Sequence, residues 1–512
     1  MAEGRVVDTL AAIDRDAWDA LFPGETERYD YLAAVEAAGL DGFAWRYVLV
    51  EEDGRLLAAA PAFITRYALE TTVEGATRSV LRALGCIAPG LVSLRMACLG
   101  SPCTETAQIG LAEHKRGSAD RQLLMRTLLA TFDAAARADR CSLSSIKDLP
   151  ALEVGAWGAS LAHAGYHSVT GLPSAELEID FPDIETYLSR LSPATRKDMR
   201  RKLRAAGNVR IEIRRNLDGL EDQVLALYAE TRARGDLQFE TLTADYFTGV
   251  LERMGERAAC VLYFVEDRLL AANLVLLDNG ILLDKFFCMS AQGRDHNLYF
   301  LSWFTNVQLC LDRGLRGYRS GQAAYVNKVR LGSRLTPVTM YFRHRNPFVD
   351  GVLRALAPLL APDAPDATLP KPSDPPPVPA TFRSRWARRL LFLALPLLGL
   401  AYQVTAMETA RAMTGVPFGA GWLLTALRLP WAQALVALEI LAFAVWMVVL
   451  SEVKLSEAFP LSALSYVLVV AASWTFFHEP ASLLQVLGGA AIMAGVWLIG
   501  RSSEPSSEEP AR

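Results

Sequence analysis

Residues Ile281–Pro337 read ILLDKFFCMSAQGRDHNLYFLSWFTNVQLCLDRGLRGYRSGQAAYVNKVRLGSRLTP, and the order of parts within them decides the fold. The apolar run Ile281–Met289 predicts a strand, Ser290–Asn297 a polar loop, and the residues up to about Asp312 an amphipathic helix. Gly314 marks the helix stop, and a short strand follows around Tyr318. A polar loop leading into a helix N-terminus presents free backbone N–H groups that can hold an anion such as a pyrophosphate. Gly293, Arg294, His296 and Asn297 occupy that loop. Past the short strand, Gln322, Tyr325, Asn327, Lys328 and Arg330 form a cluster of long polar side chains able to converge on a bound group. The same spacing also fits an ordinary strand–helix–strand unit with a solvated basic loop.

Upstream, Cys260–Asp278 predicts a hairpin turning at Asp267-Arg268, and Asn279-Gly280 turns the chain into the stretch quoted above. Arg210–Arg214 reads as a strand and Leu220–Arg234 as a helix. Another strand is expected at Ala175–Ile179. Ser192-Pro193 is a helix start, a capping residue followed by proline at the first helical position. On the helix it opens, Arg196, Lys197, Arg200, Arg201 and Arg204 are three or four apart and share a face. Most such charge runs are solvated. The functional alternative is a surface for an anionic substrate, CoA phosphates or anionic lipid headgroups.

Residues 1–171 predict a first α/β lobe. A short helix opens at Asp30-Tyr31-Leu32, and Trp45–Glu51 and Leu56–Phe63 are strands flanking the turn Glu52-Asp53-Gly54. Arg78–Leu99 is apolar but interrupted by Arg82, Pro89-Gly90 and Arg95, too broken for a membrane span, and is expected as a buried or interfacial segment. The turn Gly100-Ser101-Pro102-Cys103, a helix at Ala119–Arg137 and a strand at Cys141–Ile146 complete the lobe.

At 512 residues the chain is too long for one core. A formal net charge of −4 is ordinary for this length and offers no whole-chain signal for DNA or RNA. Seven cysteines without metal-like spacing argue against a disulfide framework or a zinc site, and no metal is expected. The N-terminus lacks a charged-then-apolar signal pattern, which places the N-terminal part in the cytoplasm.

The hydrophobic fraction, 52%, is high for a soluble protein, and the excess lies at the C-terminal end. A proline-dense spacer at 358–380 precedes it. Four apolar segments then approach the ~20 residues a helix needs to cross hydrocarbon. They are Leu390–Met407, Ala432–Leu450, Ala458–Phe477 and Ala481–Ile499. Arg383, Arg385, Arg388 and Arg389 place the first with its N-terminus in the cytoplasm. Glu439 lies inside the second, and an intramembrane acid is a functional candidate. Gly488, Ala491 and Gly495 put small residues on one face of the last, a packing or homodimer surface.

Two resemblances follow from these residues. Cys288, Asp312-Arg313-Gly314-Leu315, Tyr318, Gly321-Gln322-Ala323, Lys328, Gly332 and Pro337 form a series that resembles the last third of FemAB-like acyltransferases, a branch of the GNAT superfamily. The basic segment SPATRKDMRRKLRAAG (192–207) is similar to one in that family, and the first lobe's order of parts is similar to the first of its two lobes. Val326-Asn327 departs from the family's Glu-His, and Gln292-Gly293-Arg294 is the nearest match to a pyrophosphate loop. The implied co-substrate is an acyl-CoA, an acyl carrier protein or an aminoacyl-tRNA, with no tightly bound cofactor. The expected catalytic residues are Lys328, Gln322 and Tyr325. Gly293, Arg294, His296, Asn297 and Arg330 are expected to bind the donor, and Arg196, Lys197, Arg200 and Arg201 an anionic group.

The C-terminal region resembles small multidrug resistance and EamA-like four-helix proteins. The carrying residues are Ser456-Glu457-Ala458-Phe459-Pro460, Leu464-Ser465-Tyr466-Val467, Phe477-His478-Glu479-Pro480 and Gly488-Gly489-Ala490 with Ala494-Gly495-Val496-Trp497. That group includes subunits proposed to flip undecaprenyl-linked amino sugars. Gln403 stands where drug exporters hold a membrane-embedded Glu, which argues against proton-coupled export.

The expected architecture is α/β, with tandem GNAT-like lobes at 1–171 and 172–357 and the linker at 358–380. An all-α four-helix transmembrane domain at 381–500 and an acidic tail at 501–512 complete it. The expected function is an N-acyltransferase at the bacterial inner membrane, acting on an amine of a lipid or lipid-linked sugar that the membrane half presents or translocates. The alternative is a transporter or flippase whose GNAT-like half only binds.

Overall fold

A computed structural model of the chain describes residues 2–68, 93–112, 118–234, 239–360, 385–414 and 429–452, together with 422, 425 and 488. It divides into two compact units, Met1–Thr368 and Leu369–Arg512.

The first unit rests on two sheets. One begins with β1 (Glu3–Val7), β2 (Phe43–Glu52), β3 (Arg55–Ala68), β4 (Ser93–Leu99), β5 (Gly110–Leu111), β6 (Leu143–Pro150) and β7 (His167–Thr170). The other takes β8 (Ser174–Glu178), β9 (Arg210–Arg214), β10 (Ala258–Val265), β11 (Arg268–Asp278), β12 (Ile281–Met289), β13 (Gly317–Arg319) and β14 (Arg334–Thr336). β15 (Val338–His344), expected with the second lobe, instead returns to the first sheet between β6 and β7. The strand orders are β1-β2-β3-β4-β6-β15-β7, with β5 on β3, and β14-β8-β13-β12-β11-β10-β9. Pairing is antiparallel except for β4 with β6 and β12 with β13.

Period-two alternation assigns the faces of the second sheet. Cys260 and Leu262 on β10, with Ala272, Leu274 and Leu276 on β11, enter one core together with residues of the first sheet. Their neighbours Val261, Tyr263, Ala271 and Val275 enter a second core, under the helices Ile184–Arg190, Pro193–Ala205 and Leu298–Arg313. The helix Ala244–Met254 packs on Tyr29–Ala37, where the buried hydroxyls of Tyr31 and Tyr246 meet at 2.8 Å. The two lobes therefore share a core.

Local chemistry sets the ends of these elements. Ser192 caps its helix by accepting from the Thr195 N–H, with Pro193 in the first turn. Gly314 ends Leu298–Arg313 in the left-handed conformation, at φ 65°. The residues after β13, expected as a basic tail, form a short helix at Tyr325–Arg330.

In the second unit the first two apolar segments lie in the helices Arg385–Ala412 and Pro430–Glu452, which pack on each other. Among the described residues no helix is long and apolar enough to cross a membrane. The spans expected at Ala458–Phe477 and, apart from Gly488, Ala481–Ile499, the acidic tail and most of the proline-dense spacer lie outside the described residues.

Trp303 Nε1 donates to the Tyr187 hydroxyl at 2.9 Å, and that hydroxyl donates to the Leu331 carbonyl at 2.6 Å, all three residues being buried. Tyr187→Phe strands a buried donor and a buried acceptor. It is expected to lower unfolding stability by about 2 kcal/mol, read as a lower denaturation midpoint at unchanged slope.

Candidate active site

The parallel pairing of β12 with β13 runs only from Ile281–Gly317 to Leu283–Arg319. Past that point Asp284 of β12 and Gly321-Gln322, just beyond the end of β13, line a cavity of about 460 Å³. The first sheet supplies much of the remaining wall, with Phe63 and Tyr67 of β3, Met96 and Cys98 of β4, and Leu143, Ser145 and Lys147 of β6. Phe239, Glu240, Phe342 and, from the helix Pro347–Leu360, Leu353 and Ala357 complete it.

The polar end is built around β12. In the β11–β12 ladder Val275 faces Asp284 while Leu274 faces Phe286, so Lys285 is an extra residue on β12. Such a bulge takes one residue out of the ladder and bends the strand. The Lys285 ammonium forms an ion pair with Glu27 and donates to the Cys103 carbonyl at 2.6 Å. Both charged side chains are only 6% exposed. Lys285 also sits 5.1 Å from the ring centre of Tyr31, a cation–π distance. The second oxygen of Glu27 accepts from the Glu105 N–H at 3.0 Å, and Glu105 accepts from the Ser174 hydroxyl. Lys147 donates to the Thr104 carbonyl and lies 3.6 Å from Asp148.

Four acidic residues line this end, Glu105, Asp148, Glu240 and Asp284. Burial raises the pKa of each, because loss of water penalises the charged form. For Asp284 burial pushes the value up to about 6, against the pull of Lys328 and the Tyr318 hydroxyl. Its carboxylate accepts from Tyr318 at 3.0 Å and from Asn306 at 3.1 Å. An acid poised near neutrality and held by two donors is suited to taking a proton.

The expected site residues fall in several places. Gln322 lines the cavity and donates to the Leu172 carbonyl at 2.8 Å. Lys328 and Tyr325 lie behind that wall. The buried Lys328 ammonium donates to the carbonyls of Ser320 and Gly321, and burial lowers its pKa to about 8 against the pull of Asp284 and Glu105. Tyr325 donates to the Pro173 carbonyl at 2.8 Å. Lys328 thus braces the turn that carries Gly321-Gln322, and Tyr325 ties the short helix that follows it to Pro173.

Gly293, Arg294, His296 and Asn297 form the turn before the helix Leu298–Arg313, with the Ser290 hydroxyl accepting from the Gly293 N–H; they are not among the cavity-lining residues. Arg330 is turned toward the basic helix, donating to Thr195 and, at 2.8 Å, to Asp198. Arg201 also pairs with Asp198, Arg200 pairs with Glu185, and Arg196 donates to the Ser189 carbonyl, while Lys197 is exposed. Gln403 and Glu439 are exposed positions on the two helices of the second unit.

Sequence reasoning missed Glu105, Lys147, Asp148, Glu240, Asp284 and Lys285. One signal was available for the last pair, two adjacent opposite charges inside the apolar run Ile281–Met289.

The family model for the acetyltransferase (GNAT) domain matches residues 193–328, from the basic helix to Lys328. The probable 4-amino-4-deoxy-L-arabinose-phosphoundecaprenol flippase subunit ArnE of Pseudomonas aeruginosa is 40% identical over 84 residues, 16% of this chain and 71% of that protein. The probable ArnF subunit of Pseudomonas fluorescens is 32% identical over 122 residues, 20% of this chain and 89% of that protein. A crystal structure of FemX aligns over 69% of this chain and 100% of its own length, at 12% identity and a TM-score of 0.46.

The raised pKa of Asp284 makes a stability prediction. Its folded value, about 6, exceeds the ordinary 3.8, so the stability it contributes is present below pH 3.8 and lost as pH rises through 6. Asp284→Asn is therefore expected to be more stable than the parent at pH 8, on the order of 1–3 kcal/mol. Thermal unfolding across pH should show that advantage vanish below about pH 4.

Proposed function

We propose that this chain, which carries an acetyltransferase (GNAT) domain at residues 193–328 and over an 84-residue stretch belongs to the family of ArnE flippase subunits, joins an acyl group to an amine at a membrane. It is an acyltransferase of the GNAT kind, which in general uses an acyl-CoA-type co-substrate. The finer reading is N-acylation of an amine borne by a lipid or a lipid-linked molecule, within the cavity between the two sheets. The observation that carries it is the cavity's composition, carboxyls and lysines at one end and aromatic and aliphatic side chains at the other.

In this reading an ammonium group enters among Glu105, Asp148, Glu240 and Asp284. Asp284 takes a proton from it and leaves a neutral amine. The nitrogen attacks the acyl carbonyl, forming the C–N bond and breaking the bond to the donor's sulfur, or to its oxygen if the donor is an ester. The proton from the attacking nitrogen ends on the departing group. The N–H of Lys285, outside the ladder, is the donor for the developing oxyanion. Gln322, Lys328 and Tyr325 position the turn that closes the site opposite Asp284. The turn Gly293–Asn297 and the basic helix hold the donor's anionic groups.

The second unit supplies the membrane. Trp431, Val436 and Leu441 stand exposed on the helix Pro430–Glu452, a surface suited to hydrocarbon rather than water. The ArnE relative is named as a flippase subunit for a lipid-linked amino sugar. By that analogy the second unit holds a lipid-borne substrate or product at the inner membrane, with the enzyme domain on the cytoplasmic side.

The test uses the full chain in lipid nanodiscs, following thiol release from palmitoyl-CoA on addition of a primary amine. Turnover should climb with pH through about 6, as Asp284 ionises. Asp284→Asn should cost at least about a hundredfold in turnover and lose that limb. A variant within threefold of the parent would remove Asp284 as the base. An absence of amine-dependent release would overturn the acyl-transfer reading of this cavity.

A further inference from the structure

The two kinds of lining are ordered along the strands rather than mixed. Leu143, Ser145 and Lys147 fall at every second position of β6 and line the cavity, as do Ile146 and Asp148. Across the sheet, Met96 is opposite Leu143 and Cys98 opposite Ser145 on β4, while β15 sets Phe342 against Ser145. One rung further, β3 sets Phe63 opposite Cys98. The wall therefore passes from Met96 and Leu143, through Phe63, Cys98, Ser145 and Phe342, to Lys147 and its neighbour Asp148. Leu143 and Lys147 are four residue steps apart, roughly 13 Å of extended strand. Leu353 and Ala357 of the helix Pro347–Leu360 also face this cavity.

We infer that the amine acceptor is itself a long-chain amine, its nitrogen among Glu105, Asp148, Glu240 and Asp284 and its single hydrocarbon chain lying along Phe63, Met96, Leu143 and Phe342 toward Leu353 and Ala357. The inference rests on the acyl-transfer reading and narrows it, since the chain must begin close to the nitrogen. Charge complementarity selects the acceptor rather than the donor for this berth. Four acidic residues and two lysines line the polar end; Lys285 is paired with Glu27 and Lys147 lies 3.6 Å from Asp148, which leaves Glu105, Glu240 and Asp284 in excess. A cation is matched there, and an acyl-CoA headgroup, with its phosphates, is repelled. An extended chain covers 13 Å in about eleven carbon–carbon bonds, at about 1.2 Å per bond, a third of what one fully extended residue spans.

The experiment is a binding and turnover series with n-alkylamines of four to sixteen carbons, on the full chain in phosphatidylcholine nanodiscs. Binding is read by calorimetry against empty nanodiscs, so it is scored even if turnover is nil. Affinity should rise about fourfold per added methylene and level off past about eleven carbons. Ala357→Phe narrows the apolar arm and should shift that plateau to shorter chains, with butylamine binding unchanged. Leu353→Ala, which widens it, should move the plateau the other way. Affinity independent of chain length, or plateaus unmoved in both variants, overturns the long-chain acceptor. If short and long amines are acylated alike, acyl transfer stands and this inference alone falls. If long amines bind with the expected plateau and none is acylated, the berth stands and the acyl-transfer reading falls.

Discussion

The cavity depends on the cost of taking charge out of water. Lys285 and Glu27, one from each lobe, are both nearly inaccessible to solvent and neutralise one another where the two sheets come together. A lone buried charge costs several kcal/mol, so removing either partner is far more damaging than the net worth of the pair suggests. That constraint locks the bulge on β12 against the turn at Cys103 and the helix Tyr29–Ala37. The remaining carboxyls are held in the same poorly solvated volume, which is why their proton affinities rise together. Proton affinity and architecture share one cause.

The rest of the first unit supports that junction. The parallel pair β12–β13 separates after Leu283, and the opening is usable because the first sheet lies across it with side chains rather than solvent. The shared core, with Tyr31 and Tyr246 buried at its centre, holds the lobes in register. The return of β15 to the first sheet ties the end of the acetyltransferase domain back to the lobe it faces. A site assembled this way has walls from both lobes and belongs to neither alone.

Local elements were legible because they depend on short-range rules. The strand Ile281–Met289, the hairpin turning at Asp267 and the Ser192-Pro193 helix start all follow from periodicity and capping, which a window of a dozen residues contains. The place of β15 was not legible, because its partners β6 and β7 lie far back in the chain and pairing of distant strands leaves no local mark. Gln322, expected from its position after a strand, lines the cavity. Lys328 was located, but its contacts place it beneath the wall, bracing Ser320 and Gly321. The carboxyls escaped notice because they are scattered from Glu105 to Asp284, and only the fold gathers them.

The proposed acyl transfer takes place at the acid-lined end of this cavity, onto an amine held in the membrane. The most direct measurement is comparative mass spectrometry of lipids from membranes of cells making the parent chain, the Asp284→Asn variant, or neither. An amide-containing lipid present only with the parent chain is the predicted result, and its fragment masses would identify both the acyl group and the amine. The same lipid profile in all three membranes, with both proteins folded and present, would contradict it.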